Sequence, residues 1–141
     1  VNKMSFIVYS YTTKQAVDDG VLIKVDSGIL AEIGIKFPVY LTDTVYRRYV
    51  EVPADFKDVQ DESGRLFDVL YMFANSAKNT SDSILYYWFT CLLRKEATTL
   101  ASEKKSEISK YHKDVKLKAI ITARDIDDAS PAIFIMLPSE D

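Results

Sequence analysis

The sequence has only one cysteine, one histidine and four glycines, and these scarcities exclude several kinds of site. Cys91 cannot form a disulfide framework within the chain or a cysteine metal cluster. A zinc site would need Cys91, His112 and carboxylates alone, and we expect His112 to be a solvated side chain rather than a catalytic base. The glycines are not spaced as in a phosphate-binding loop. We therefore expect no metal site and no cofactor.

Long apolar runs are also missing. No stretch approaches the roughly 18 apolar residues that a membrane-spanning helix needs, and the apolar run at residues 6–9 is too short for the core of a signal peptide. The net charge of −3 gives no general attraction to nucleic acid or to anionic lipid. We therefore expect a cytoplasmic protein that does not enter a membrane.

The composition that is present is that of an ordinary globular chain. Of the 141 residues, 48% are hydrophobic and 28% are charged. A chain of this length can bury about two thirds of its unfolded surface in one core. We predict a single domain over residues 1–141, in which the polar residues 95–112, with little apolar support, form a mobile connection.

The strongest structural signal is an apolar helix over residues 61–77. Five apolar side chains recur at helical spacing on one face: Leu66, Val69, Leu70, Phe73 and Ala77. Asp61 stands where a helix N-cap is favoured. Phe67, Tyr71 and Met72 make much of the remaining circumference apolar, so we expect this central helix to be covered on more than one side.

Three segments after the central helix predict an antiparallel sheet. Residues 84–93 are apolar on both alternating faces, which is typical of a central strand covered on at least one side. Residues 115–122 alternate as a half-buried strand, and residues 132–137 form the last strand after a turn at residues 125–130. With two or three short helices in the first 50 residues, the predicted fold class is α+β: an antiparallel sheet on which the central helix packs.

Several blocks of the chain resemble an uncharacterised family of short bacterial proteins carried by plasmids, phages and other mobile elements. The blocks are SYTTKQAVDDGVLIKV at residues 10–25, FPVYLT at 37–42, DESGRLFDVLYM at 61–72, VKLKA at 115–119 and PAIFIMLPSED at 131–141. Family members often have tryptophan where Phe67 and Tyr71 stand. The resemblance implies no established activity and no catalytic residues.

Our leading interpretation, which follows from this resemblance, is an accessory protein of a mobile element that binds a macromolecular partner without catalysis. A carboxylate-dependent enzyme stays open, because Asp or Glu pairs can act as acid and base or hold Mg²⁺. For such a site we select Asp68 with Arg65 and Asp19, since all three lie in the blocks that resemble the family. A solvated ion pair and a turn are the ordinary roles of these residues.

A single-stranded nucleic acid platform is a further alternative. Tyr86 and Trp88 share one face of their strand, Lys116 and Lys118 share one face of theirs, and a suitable register would place the rings beside the ammonium groups. The competing interpretation makes the same aromatic rings core beneath the central helix. A homodimer stays open as well, with a second copy completing one face of the strand at residues 84–93.

Overall fold

The computed structural model describes residues 12–52, 61–92 and 112–140. The apolar run at residues 6–9 lies outside them, as does the connection predicted at residues 95–112 except for its last residue, His112, which begins a strand. Among the described residues, no helix is long and apolar enough to cross a membrane.

The described chain alternates short helices and strands before the central helix, then forms three long strands. The helices are α1 (Thr13–Asp18), α2 (Ser27–Ile33), α3 (Asp43–Val45) and the central helix α4 (Glu62–Ala77), and a π-helix (Tyr46–Val50) continues α3. The strands are β1 (Leu22–Lys24), β2 (Val39–Thr42), β3 (Ile84–Leu92), β4 (His112–Asp125) and β5 (Asp128–Met136).

Several helix ends coincide with capping groups that the sequence supplies. The Thr12 side chain accepts a hydrogen bond from the Gln15 N–H at the start of α1, and Asp61 does the same for the Gly64 N–H at the start of α4. Helix α2 ends at Gly34, whose φ of +95° is a left-handed conformation that glycine adopts without a steric penalty.

The strands form one five-stranded sheet in the order β1-β2-β5-β4-β3. Strands β3, β4 and β5 form the predicted antiparallel meander. Strand β2 pairs parallel to β5, and β1 pairs antiparallel to β2. The α+β fold class is therefore confirmed, with a mixed sheet in place of a purely antiparallel one. The turn between β4 and β5 is also tighter than predicted, because both strands extend into residues 125–130.

Among the described strands, β3 lies at the end of the sheet order, so the prediction of a central strand at residues 84–93 is wrong. A run that is apolar on both faces is typical of a strand covered on both sides. In β3 the helix α4 covers one face only, and the side chains on the other face are exposed. The apolar run therefore comes from a half-exposed strand with aromatic side chains on its open face.

The main core lies between the sheet and the layer formed by α2, α4 and the π-helix. Leu41, Leu117 and Ile135 from three strands meet Leu70 of α4 there, and all four are fully buried. A smaller cluster on the opposite face contains Tyr40, Ala132, Phe134 and Met136, against which Val17 of α1 packs. The sheet thus has helices on both faces, and α1 contacts β1 and the end of β4 at Asp125.

The outer surface of α4 is more open than the sequence predicted. Phe67, Tyr71 and Met72 are exposed, so the expectation that this helix is covered on more than one side is wrong. The rings of Phe67 and Tyr71 stack on each other at 5.6 Å between centroids. This mutual contact removes some apolar surface from water without a second covering layer.

Tyr46 makes the stability of the fold fall at alkaline pH. Its hydroxyl donates a 2.7 Å hydrogen bond to Glu62 Oε1, which joins the π-helix to α4. That bond, partial burial and the charges of Glu62 and Glu51 raise the pKa of Tyr46 from 10.0 to about 12. Between those two values the unfolded chain has lost the proton that the folded chain still holds. The contribution of Tyr46 to the free energy of unfolding is therefore complete below the lower value and is lost as the pH rises through the upper one.

We expect the free energy of unfolding of Tyr46→Phe to fall less than that of the wild type over this alkaline interval. Urea unfolding at a series of pH values measures the free energy of unfolding of each protein. Both proteins contain the other tyrosines, so the contributions of those tyrosines cancel when the two free energies are subtracted. If the free energy of unfolding had the same slope against pH in both proteins, the hydroxyl of Tyr46 would titrate alike in the folded and unfolded chains.

Candidate binding surface

One part of the sheet presents apolar and aromatic side chains to solvent. Ile84, Tyr86 and Trp88 lie at alternate positions of β3, on the face opposite α4, and are 50%, 50% and 55% exposed. Lys116 of β4 is exposed beside them. We call these four residues the aromatic strip. Isolated exposed apolar residues are common, but adjacent exposed rings in one strand are typical of a binding surface.

The aromatic strip follows from the alternation of side chains between the two faces of β3. Tyr87 contacts α4 and Phe89 contacts the π-helix, and both side chains are buried. Tyr86 and Trp88 must therefore point to the other face. The Tyr87 hydroxyl donates a 3.0 Å hydrogen bond to the carbonyl of Val69, which fixes the strand against the helix. The interpretation in which Tyr86 and Trp88 form core beneath the central helix is therefore wrong.

The register between β3 and β4 places a lysine opposite each ring. Trp88 pairs with Lys116, and Tyr86 pairs with Lys118. The Lys116 Nζ atom lies 5.1 Å from the centroid of the Tyr86 ring and 5.9 Å from the Trp88 ring. These distances are those of cation–π contacts, which help to hold the rings and the ammonium group in one arrangement.

Lys118 differs from Lys116 in its surroundings. It is only 7% exposed, and its Nζ atom donates a 2.6 Å hydrogen bond to the carbonyl of Glu140. The Glu140 carboxylate in turn accepts hydrogen bonds from the Thr42 hydroxyl and from the Leu137 N–H. Lys118 therefore fastens the C-terminal turn to the sheet, and Lys116 is the lysine of the predicted pair that solvent and a ligand can reach.

Ile84 is a member of this surface that the sequence interpretation did not include. Its position two residues before Tyr86 carries the signal, because residues i and i+2 share one face of a strand. Thr90 extends the same row at the other end, and its hydroxyl donates a 3.0 Å hydrogen bond to Asp114 Oδ1 of β4. The polar pair at this end gives the apolar surface a hydrophilic boundary.

The structure does not bring together the three residues selected for a carboxylate site. Arg65 of α4 is buried, and its Nη1 atom donates a 3.0 Å hydrogen bond to the carbonyl of Glu51. Asp68 lies on the exposed side of the same helix, where partial burial raises the pKa of its carboxyl. Asp19 caps the C-terminal end of α1, across the sheet from α4. An acid and base pair made of Asp19 and Asp68 is therefore excluded by their positions.

A cavity of about 300 Å³ lies between α1 and the hairpin of β4 and β5. Its basic lining residues are Lys14, Lys24 and Arg124, and its acidic ones are Asp18, Asp125, Asp127 and Asp128. Asp125 accepts hydrogen bonds from the N–H groups of Thr13 and Lys14, and Arg124 Nε donates to the Tyr40 hydroxyl at 2.9 Å. The Asp125 bonds hold α1 on the hairpin, and the Arg124 bond joins the hairpin to β2. Charged groups of both signs around the cavity are thus engaged in holding the fold together.

Comparison with family models, curated proteins and solved structures gave no match to this chain. Within residues 12–52, 61–92 and 112–140, no group of three or more histidine, cysteine, aspartate or glutamate side chains could hold a metal ion. In the part of the chain that the structure describes, the aromatic strip is therefore the feature whose geometry most favours binding.

Proposed function

We propose that this chain is a non-catalytic accessory protein of a mobile genetic element and that it binds a partner protein through the aromatic strip. The exposure of Tyr86 and Trp88 on an otherwise ordered strand carries the proposal. Tryptophan and tyrosine are the residues that most often dominate the binding energy of protein interfaces. Both rings are held in place by the strand and by Lys116, so binding orders few additional side chains.

Charge favours a protein over a nucleic acid as the partner. Asp114 lies two residues from Lys116 on the same face of β4, and Lys118 is engaged with the C-terminal turn. Nucleic acid binding usually depends on several phosphate contacts by lysine or arginine. The sequence has a net charge of −3, which adds no general attraction to phosphate.

The test is affinity capture from a host-cell lysate with the full chain and two matched variants. Trp88→Ala removes a ring from the aromatic strip, whereas Tyr71→Ala removes an exposed ring from the outer face of α4. We expect the wild type and Tyr71→Ala to capture the same protein. Trp88→Ala should capture at least tenfold less of that protein. Circular dichroism of both variants should match the wild type.

Two results would contradict the proposed function. Equal capture by the wild type and Trp88→Ala would place binding elsewhere on the molecule. Turnover of a nucleotide, a nucleic acid or an ester by the pure protein, lost in Asp68→Asn, would favour the enzyme class instead.

A single-stranded nucleic acid is the second candidate partner, and it is supported by the position of the Lys116 ammonium group over both rings. Stacked bases and a nearby cation are the contacts that such platforms use. The test is a titration of Trp88 fluorescence with short DNA and RNA at low and moderate salt. Quenching that weakens with salt and is reduced in Lys116→Ala would support this candidate. The absence of quenching at low salt would exclude it.

A further inference from the structure

The outer edge of β3 has backbone groups that no described strand pairs. Within residues 12–52, 61–92 and 112–140, β3 is hydrogen bonded in the sheet to β4 alone. The Ile121 N–H donates to the Ser83 carbonyl at 2.8 Å, so the odd-numbered positions of β3 exchange hydrogen bonds with β4. The even-numbered positions therefore direct their N–H and C=O groups outward: Ile84, Tyr86, Trp88 and Thr90.

The sequence of β3 lacks the residues that usually prevent edge strands from associating. Its nine residues, ILYYWFTCL, include no charged residue, no proline and no glycine. Natural edge strands are commonly protected by such residues, by bulges or by being very short. An unprotected strand of this length is a template about 30 Å long for a second strand.

We propose that the outer edge of β3 pairs antiparallel with β3 of a second copy, so that one sheet continues through a symmetric dimer. The other edge of the sheet, β1, has only three residues and ends in Lys24. Pairing of β3 with β1 would match few backbone groups and would repeat into a filament, whereas pairing of β3 with itself closes after two copies. Because β1 is much shorter than β3, the two edges match poorly, and pairing of β3 with β3 of a second copy is favoured. This pairing ends at a dimer.

The strand is also complementary to itself. A two-fold axis at Tyr87 places Tyr86 opposite Trp88 of the partner subunit on the open face, and Leu85 opposite Phe89 of the partner subunit on the core side. In that register the outward N–H and C=O groups of even-numbered positions meet one another. Aromatic and apolar cross-strand pairs add stability to such a ladder. The two aromatic strips then join into one surface.

The edge can be tested separately from the side chains with two substitutions at one position. Tyr86→Pro and Tyr86→Thr both remove the ring, but only proline removes the N–H. That N–H points away from β4, so proline leaves the β3 and β4 ladder intact. Sedimentation of the full chain over a range of concentrations should give a dimer for the wild type and for Tyr86→Thr. We expect a monomer for Tyr86→Pro.

Amide hydrogen exchange of the wild-type chain gives a second measurement that does not depend on a variant folding. The amides of Tyr86 and Trp88 should become protected as the protein concentration rises, whereas those of Tyr87 and Phe89, which bond to β4, should be protected at all concentrations. Exchange at Tyr86 and Trp88 that is independent of concentration would overturn the inference.

Other outcomes overturn it as well. A wild-type chain that stays monomeric at high concentration excludes the dimer. A dimer that survives Tyr86→Pro but is lost in Trp88→Thr would show that the open faces pack together without edge pairing. A monomeric chain that still captures its partner through Trp88 would refute the dimer and leave the proposed function intact, so the two failures can be distinguished.

Discussion

Replacement of Leu70 by alanine is expected to lower the free energy of unfolding by about 2 to 5 kcal/mol, the range for truncation of a buried leucine. Leu70 is fully buried where α4 packs on the sheet, among the strand residues of the main core. Neighbouring side chains cannot collapse fully into the space that the substitution leaves, so a cavity adds to the lost hydrophobic transfer energy. Chemical unfolding followed by circular dichroism measures the change.

Met72→Ala is the matched control for this experiment. It shortens an apolar side chain on the same helix, but Met72 is 37% exposed and points away from the sheet. We expect a change within about 0.5 kcal/mol, as for most surface substitutions. A Leu70→Ala protein as stable as the Met72→Ala protein would refute the packing of α4 against the sheet.

The central helix and the meander could be predicted because their signals are local. The helix face that includes Leu70 repeats at helical spacing, and Asp61 supplies the cap in the same stretch of chain. The strands of the meander follow one another, so their order needs no information beyond their sequence order. The parallel pairing of β2 with β5 joins Val39 to Ile133, which are distant in the sequence, and no local pattern specifies it.

The candidate binding surface was predictable only in part. The alternation of residues in a strand identifies Tyr86 and Trp88 as neighbours on one face. The sequence allows a strand register that places Lys116 beside them, and the structure has this register. Which face of β3 is covered depends on where α4 packs, which is a property of the whole fold. The burial of Lys118 depends on the turn at Glu140, 22 positions away. Lysine at an alternating position therefore does not reveal whether its ammonium group is available.

Adjacent tyrosines on β3 provide the sharpest test of which face is open. Tyr87 is 2% exposed and contacts α4 through its ring and hydroxyl, whereas Tyr86 is 50% exposed on the aromatic strip. Tyr87→Ala is expected to destabilise the protein by about 3 to 5 kcal/mol, the range for truncation of a buried aromatic side chain. Tyr86→Ala should cost less than about 1 kcal/mol, because it loses only partial burial and an exposed cation–π contact with Lys116.

The two variants make the same chemical change one residue apart, so differences in strand propensity between tyrosine and alanine cancel in the comparison. Unfolding should be measured at low protein concentration, since association would otherwise contribute to the apparent stability. Tyr87→Phe separates the hydroxyl from the ring, and we expect it to cost about 1 kcal/mol for the hydrogen bond to Val69. If Tyr86→Ala proved as destabilising as Tyr87→Ala, both faces of β3 would be covered in solution. The aromatic strip would then be part of the core and could not serve as a binding surface.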